Sequence, residues 1–197
     1  LEDSVDTYKR QLERDPVNPT SYLNLGVVYI SLRDFDAAQA TIDKALQISP
    51  NNLLARIMHG LTFYLQGDLQ AYLDAFTRLS DETGDDVFRL LSQAGVYPEM
   101  GRQAEGEESL RELEARFSDS WSYVIATVHA IQGRPDEAFA WLERAYQIGG
   151  TSELSGAGTD PLFDSLHDDP RWEPMLQKAG ISKEQLAAVE FEYDPPR

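Results

Sequence analysis

The chain has 197 residues, 42% of them apolar, with 34 acidic against 17 basic side chains and no cysteine. That apolar share suffices for a buried core and excludes a disordered composition. A net charge of −17 is repelled by phosphate backbones and anionic lipid, which argues against nucleic acid and membrane surfaces as partners. Without cysteine there are no disulfides, thiolate metal sites or cysteine nucleophiles. No apolar run approaches the roughly 20 residues of a membrane span, and no signal peptide opens the chain, so no membrane insertion of this segment is expected. The compartment stays open: cytoplasm is the first expectation, periplasm the alternative if a membrane span precedes this segment. The chain opens at Leu1 rather than Met, so a piece of a longer protein is expected.

In chain order, residues 3–15 read as a helix with Val5, Tyr8 and Leu12 on one stripe. Two helices follow at about 19–32 and 35–48, the second capped by Asp34. The next pair is expected at about 53–66 and 69–80, with Asp68 as the cap, and the acidic stretch 81–86 reads as a loop. A third pair falls at about 86–97 and 102–117, with Pro98 ending or kinking its first helix. A fourth falls at about 120–132 and 135–148; Pro135 suits a first turn, and Gly149-Gly150 stops it. Residues 151–159 form a Ser/Gly/Thr-rich connector. Asp160-Pro161 and Asp169-Pro170 each read as a cap followed by Pro, starting short helices at about 161–166 and 170–179, with Gly180 stopping the second. Ser182 with Gln185 makes a capping box for a last helix, about 183–189, and the residues from Val189 onward alternate apolar and acidic like extended chain.

Within 19–50 the landmarks are Tyr22, Leu25, Gly26, Tyr29, Ala38, Ile42, Ala45 and Pro50. This series resembles the tetratricopeptide repeat (TPR) at nearly every signature slot: aromatic, Leu-Gly, Tyr, small, large apolar, Ala, Pro. The repeat has a period of about 34 residues and folds as two antiparallel helices. Gly26 and Ala38 are expected where the two helices cross, because only small side chains let the backbones approach. The next copy runs through Arg56, His59, Gly60, Phe63 and Phe76, with Arg56 in place of the aromatic. The third is degenerate, with Gln93, Ala94, Tyr97, Pro98, Gly106 and Leu110, and is expected to be the weakest unit. The fourth, two residues early, runs through Ile125, Ala126, Ala138, Leu142 and Ala145; Gly67, Gly101 and Gly133 repeat the spacing and the slip. One period before Ile42 and Pro50 lie Tyr8 and Pro16, so the first helix is either half of a partial repeat or a capping helix of its own. The resemblance implies an all-α, right-handed TPR solenoid of antiparallel helix pairs with a C-terminal helical cap. The expected organisation is an array over 1–150 (partial repeat 1–18, then about 19–52, 53–86, 87–118 and 119–150) and capping helices with a tail over 151–197.

The segment DPLFDSLHDDPRWEPMLQKAGI resembles the closing segment of TPR arrays in bacterial multidomain proteins, where the array follows a class III adenylate cyclase, a winged-helix regulator or a protein kinase. Its short helices are expected across the end of the fourth repeat, anchored by Phe163 and Trp172.

The TPR resemblance implies that the first helix of each pair lines a concave face. The inward slots would be Leu23, Val27 and Ile30, then Ile57, Leu61 and Tyr64, then Leu91 with Gly95 and Pro98, and then Tyr123 and Thr127 with Ala130. That face is apolar, and it lacks the Lys, Arg and Asn with which carboxylate-clamping TPR domains of Hsp70/Hsp90 co-chaperones hold a C-terminus. The expectation is therefore a protein–protein interaction scaffold that binds a peptide or helix there, with the chain's own C-terminal tail as a competing occupant and packing within the array as the structural alternative. A non-enzymatic protein is expected, without a cofactor. His59 and His129 sit at repeat-core slots. His167, among Asp160, Asp164, Asp168 and Asp169, is the one arrangement resembling a hard-metal site, and an enzyme or metal-binding appendage over 151–193 is the alternative reading.

Overall fold

The structure, a computed structural model, describes residues 2–188. Among these it contains twelve α-helices and two 3-10 segments and no strand. The chain divides into two compact units, residues 1–116 and 117–197, each taken by itself below. This division by packing falls at the boundary between the third and fourth repeats, whereas the sequence boundary at 150 marks where the repeat pattern stops.

The first unit holds α1 (Glu2–Arg14), α2 (Pro19–Ser31), α3 (Phe35–Ile48), α4 (Leu53–Leu65), α5 (Leu69–Thr83), α6 (Val87–Val96) and α7 (Gln103–Phe117), the last ending at the boundary. From α1 to α6 each helix packs on the next, and α2 also touches α4. The helix starts recur with the repeat. Asn18 and Asn52 accept from the N–H of Ser21 and Ala55, each at 3.0 Å, and Asp34 and Asp68 accept from Ala37 and Ala71 at 3.1 and 3.0 Å. Each such cap stabilises its helix by about 1 kcal/mol. The turn between paired helices needs a left-handed residue; repeat two supplies Gly67 at φ 82°, and repeat one uses Arg33 at φ 63°.

The crossing of α2 on α3 has no room for a side chain on Gly26. A Cβ there would lie 2.5 Å from Ile42 Cγ1 and 3.4 Å from the Ala38 carbonyl oxygen. Gly60 meets Phe76 in the same way, at 2.6 Å from Cε2. Ala38, Ile42 and Ala45 are fully buried around the first crossing.

Two sequence expectations change, those for the acidic stretch and for the connector. The acidic stretch after residue 80 does not unwind at once: α5 runs on to Thr83 and stops where Gly84 takes the left-handed conformation, its N–H bonded to the Ser80 carbonyl at 2.8 Å. In the third repeat, expected to be the weakest unit, the residues that break the pattern pack on one another. Pro98, past the end of α6, fills the space that Gly106 leaves, 2.7 Å from where a Cβ would stand, and the Ser109 hydroxyl donates to Gln93 Oε1 at 3.1 Å. Its α6 buries Val87, Phe88, Leu90, Leu91, Ala94 and Val96. The connector 151–159 is not irregular throughout: it forms α10 (Thr151–Leu154) and a 3-10 turn (Ala157–Thr159), held down by buried Leu154 and Ala157.

The second unit holds α8 (Ser122–Ile131), α9 (Pro135–Gly149), α10, a 3-10 segment at Pro161–Leu166, α11 (Trp172–Ala179) and α12 (Lys183–Ala187). Repeat four and the closing segment share one core. Ala126, Ala138, Phe139, Leu142 and Ala145 pack with Leu154, Phe163, Leu166, Trp172 and Leu176. Phe163 is fully buried, with its ring edge-on to Tyr123 at 5.4 Å and 5.7 Å from Trp172. Burying these rings contributes several kcal/mol at about 25 cal/mol per Å². Asp160 caps the 3-10 segment through the Leu162 N–H at 3.0 Å, and both halves of the Ser182/Gln185 capping box are present. The expected extended tail, 189–197, lies outside the described residues.

Gly26→Ala is expected to cost about 1–3 kcal/mol by overpacking, and Ile42→Ala in the same chain should recover part of that loss; additive effects in thermal denaturation would contradict the crossing. Phe163→Ala should destabilise the second unit by about 3–5 kcal/mol, and an unchanged melting temperature would refute its role as anchor.

Candidate functional site

The glycines that admit the partner helix also orient the rest of α2 and α4. Gly26 and Gly60 face α3 and α5, so the residue after each, about 100° further round the helix, turns elsewhere. Those residues are Val27, 38% exposed, and Leu61, half-buried. Ile57 and Tyr64 on α4 are half-buried beside them, and Leu54, 52% exposed, continues the stripe toward the helix start. Leu54 was legible in the sequence as an apolar residue one turn before Ile57, but the repeat pattern did not single it out.

The expected site residues are therefore divided by their burial. Val27, Ile57, Leu61 and Tyr64 keep exposed surface. Leu23 and Ile30 do not: both are buried in a cluster with Ala38, Ile42, Ala45 and Ala55. Leu91 on α6 is buried as well. The remaining two lie in the second unit. Tyr123 is covered by the closing segment, with its hydroxyl donating to Asp160 Oδ2 at 2.8 Å and its ring against Phe163. Thr127 is buried, and its hydroxyl is satisfied by the Val124 carbonyl at 2.7 Å.

The stripe on α2 and α4 is uncharged. Helix α2 carries no charged residue, and the one arginine of α4, Arg56, is turned to Glu82 of α5 at 2.6 Å. The polar group at the end of the stripe is Tyr64, whose hydroxyl donates to Glu99 Oε1 at 3.3 Å and whose ring lies 5.5 Å from that of Tyr72. Burial first, and then Glu99, push the Tyr64 hydroxyl well above its ordinary value, so it stays a donor. Tyr72, fully enclosed, is pushed up by burial and then by Tyr64.

The acids around His167 are used otherwise. Asp160 caps a 3-10 segment and accepts from Tyr123. Asp169 binds the Arg171 guanidinium at 2.7 and 2.9 Å, which draws its carboxyl down to about 2. His167 stacks on Trp172 at 5.0 Å, with Asp164 Oδ1 3.8 Å from Nδ1. Among the described residues no group of three or more His, Asp or Glu side chains is placed to hold a metal ion. Nor is any described helix long and apolar enough to cross a membrane.

Comparison with known proteins agrees with the repeat reading. Family models described as tetratricopeptide repeat match residues 19–52 and 96–153. The chain is similar to a TPR repeat-containing protein, MJ1428, of Methanocaldococcus jannaschii, 28% identical over 94 residues that make up 47% of this chain and 17% of that protein. It is also similar to BBSome complex member BBS4 of Bos taurus, 31% identical over 113 residues, 57% of this chain and 22% of that protein. The chain thus spans less than a quarter of the length of either relative. Among solved structures, a tetratricopeptide repeat protein from Parabacteroides merdae superposes with a TM-score of 0.57 at 18% identity, over 82% of this chain and 62% of that one. A crystal structure of MamA superposes with a TM-score of 0.50 at 18% identity, over 78% and 88% of the two chains. At these identities the likeness shows the fold: TPR helix pairs.

Alkaline stability reports on Tyr72. Its pKa is raised in the folded chain, so its stabilising share is complete below the unfolded value of about 10 and is lost as pH climbs toward the folded value. Tyr72→Phe removes that liability, and its unfolding midpoint in an alkaline titration should move to higher pH; an unshifted midpoint would contradict the burial assigned to this ring.

Proposed function

We propose that this chain, which carries tetratricopeptide repeats at 19–52 and 96–153, is a non-catalytic protein–protein interaction scaffold whose α2–α4 face receives a peptide or helix of a partner. One observation carries the reading. Val27, Leu54, Ile57, Leu61 and Tyr64 form a partly exposed apolar stripe on the first helices of two successive repeats, and no cation stands among them. Such a stripe suits apolar anchors spaced along a guest helix or extended segment. It does not suit a clamped C-terminal carboxylate, which needs Lys or Arg to hold it. Leu23, Ile30, Leu91, Tyr123 and Thr127 support this face from within or belong to the packing of their own units.

The larger setting follows the resemblance of the closing segment. The array would be the regulatory C-terminal part of a longer bacterial signalling protein, with its repeats recruiting a partner to the effector domain. The Bos taurus relative is a complex member, which is in keeping with a role in assembly.

The test begins with a peptide selected on the full chain from an unbiased displayed library. Val27→Glu with Leu61→Glu adds two charges to partly exposed positions and should weaken that peptide at least about tenfold, while Gln47→Glu on α3 should leave it unchanged. Equal affinity for all three chains would overturn the reading.

A further inference from the structure

The first two repeats differ at two neighbouring slots, which leaves a hollow in the second. In repeat one the aromatic slot is Tyr22, which packs against the core cluster and donates its hydroxyl to the Pro16 carbonyl at 3.3 Å. One period on, the slot facing Pro50 carries no aromatic side chain of the Tyr22 kind. Arg56 stands in the aromatic slot and reaches away to Glu82 at 2.6 Å. His59 stands where repeat one has Leu25; its ring is edge-on to Phe63 at 4.8 Å and its Nε2 is 3.0 Å from Asp43 Oδ1. The result is a cavity of about 250 Å³ floored by Leu46, Pro50 and Leu79 and edged by Arg56, His59 and Arg78. It lies against α3, α4 and α5, apart from the Val27–Leu61 stripe.

We propose that this hollow is a second recognition site, which takes the C-terminal aromatic residue of a partner polypeptide. The ring fills the space that Tyr22 fills in repeat one, over Leu46, Pro50 and Leu79, and the free carboxylate meets Arg56 and Arg78. The shape argument comes from the chain's own first repeat: the same backbone unit packs a half-buried aromatic ring at this slot. The charge argument comes from the contrast with the rest of the molecule. In a chain of net charge −17, the edge of this hollow gathers two arginines and a histidine. Arg78 pairs with no carboxylate among the described residues. Glu82 and Asp43 compete for Arg56 and His59, but both carboxylates are about half exposed, at 48%. Arg56 and His59 themselves are 21% and 25% exposed, so each pair is open to water on its acidic side, where a guest carboxylate that also brings a ring to bury can take the place of the acid. The long-range repulsion of an acidic guest is screened beyond about 8 Å at physiological salt.

The site is independent of the α2–α4 stripe, and its test is separate. The full chain, labelled with 15N, is titrated with acetyl-Gly-Gly-Gly-Phe bearing a free carboxylate, and with the same peptide as its C-terminal amide. The acid should shift the amide signals around Leu46, Arg56, His59 and Leu79, and the amide peptide should bind about tenfold more weakly for want of the charge-assisted bonds. Arg56→Tyr restores the ring of repeat one and should abolish binding. Arg78→Glu, at an exposed position, should abolish it too, whatever Arg56→Tyr does to folding. Equal binding of acid and amide, binding unaffected by Arg78→Glu, shifts confined to Val27, Ile57 and Leu61, or no shift at about 5 mM peptide would each overturn the proposal.

Discussion

The close approach of paired helices at Gly26 and Gly60 is the constraint on which the rest of the first unit depends. In both places a single added carbon would stand within 2.6 Å of the facing side chain, Ile42 in one repeat and Phe76 in the next. Backbones this close leave the second helix of each pair no freedom to rotate. The bulk on each side of the contact must then match: Ala38, Ile42 and Ala45 fill one crossing, Tyr72, Phe76 and Leu79 the other. The same contact fixes what the first helices present elsewhere. With the glycine edge given to the partner helix, Leu23 and Ile30 fall into the core, and Val27, Ile57 and Leu61 keep surface. The candidate face is thus a by-product of how the helices pack, and its chemistry follows from the residues that remain.

The second unit meets the same demand with less severity and a different completion. Ala126 takes the slot of Gly26, and Ala138, Leu142 and Ala145 are fully buried against it and its neighbours. A lone helix pair cannot enclose its own apolar side. Here the closing segment supplies the missing half of the core, with Phe163 between Tyr123 and Trp172. Ion pairs at the edge, Arg171 with Asp136 and Lys178 with Glu143, are solvent-exposed and add little beyond orientation. The repeat pattern ends at 150 and the packing does not, because the core of repeat four is finished by residues that follow it.

Much of this was legible because it is local. A glycine opposite a large apolar residue at a fixed offset, Asp34 and Asp68 before the second helices of the first two repeats, and Ser182 with Gln185 are read within a few residues, and these stand where the pattern put them, whereas the helix expected from Asp169-Pro170 starts only at Trp172. What was not legible depends on neighbours. Leu23 and Val27 look alike in sequence, four residues apart on one helix, yet α3 and α4 cover the first and leave the second partly open. Tyr123 resembles Tyr64 by position in the repeat, but the Pro161–Leu166 segment takes its ring and its hydroxyl. The extension of α5 to Thr83 is an opposite case: a charged stretch that reads as loop stays helical because only Gly84 supplies the left-handed stop. The hollow beside Pro50 appears only when one repeat is laid over the other, since Arg56 in isolation reads as an ordinary surface residue.

The proposed function therefore rests on a face rather than on a constellation of reacting groups. Its apolar character and the absence of charge along α2 suit a guest that buries aliphatic or aromatic anchors, and the acidic remainder of the chain biases that guest toward a neutral or basic sequence. The most direct measurement is methyl NMR of the full chain bound to a library-selected peptide. The account predicts shifts and intermolecular contacts at the methyl groups of Val27, Leu54, Ile57 and Leu61. Contacts confined to Leu176, Ile181 and Leu186 in the closing segment, with the α2–α4 methyls unmoved, would contradict it.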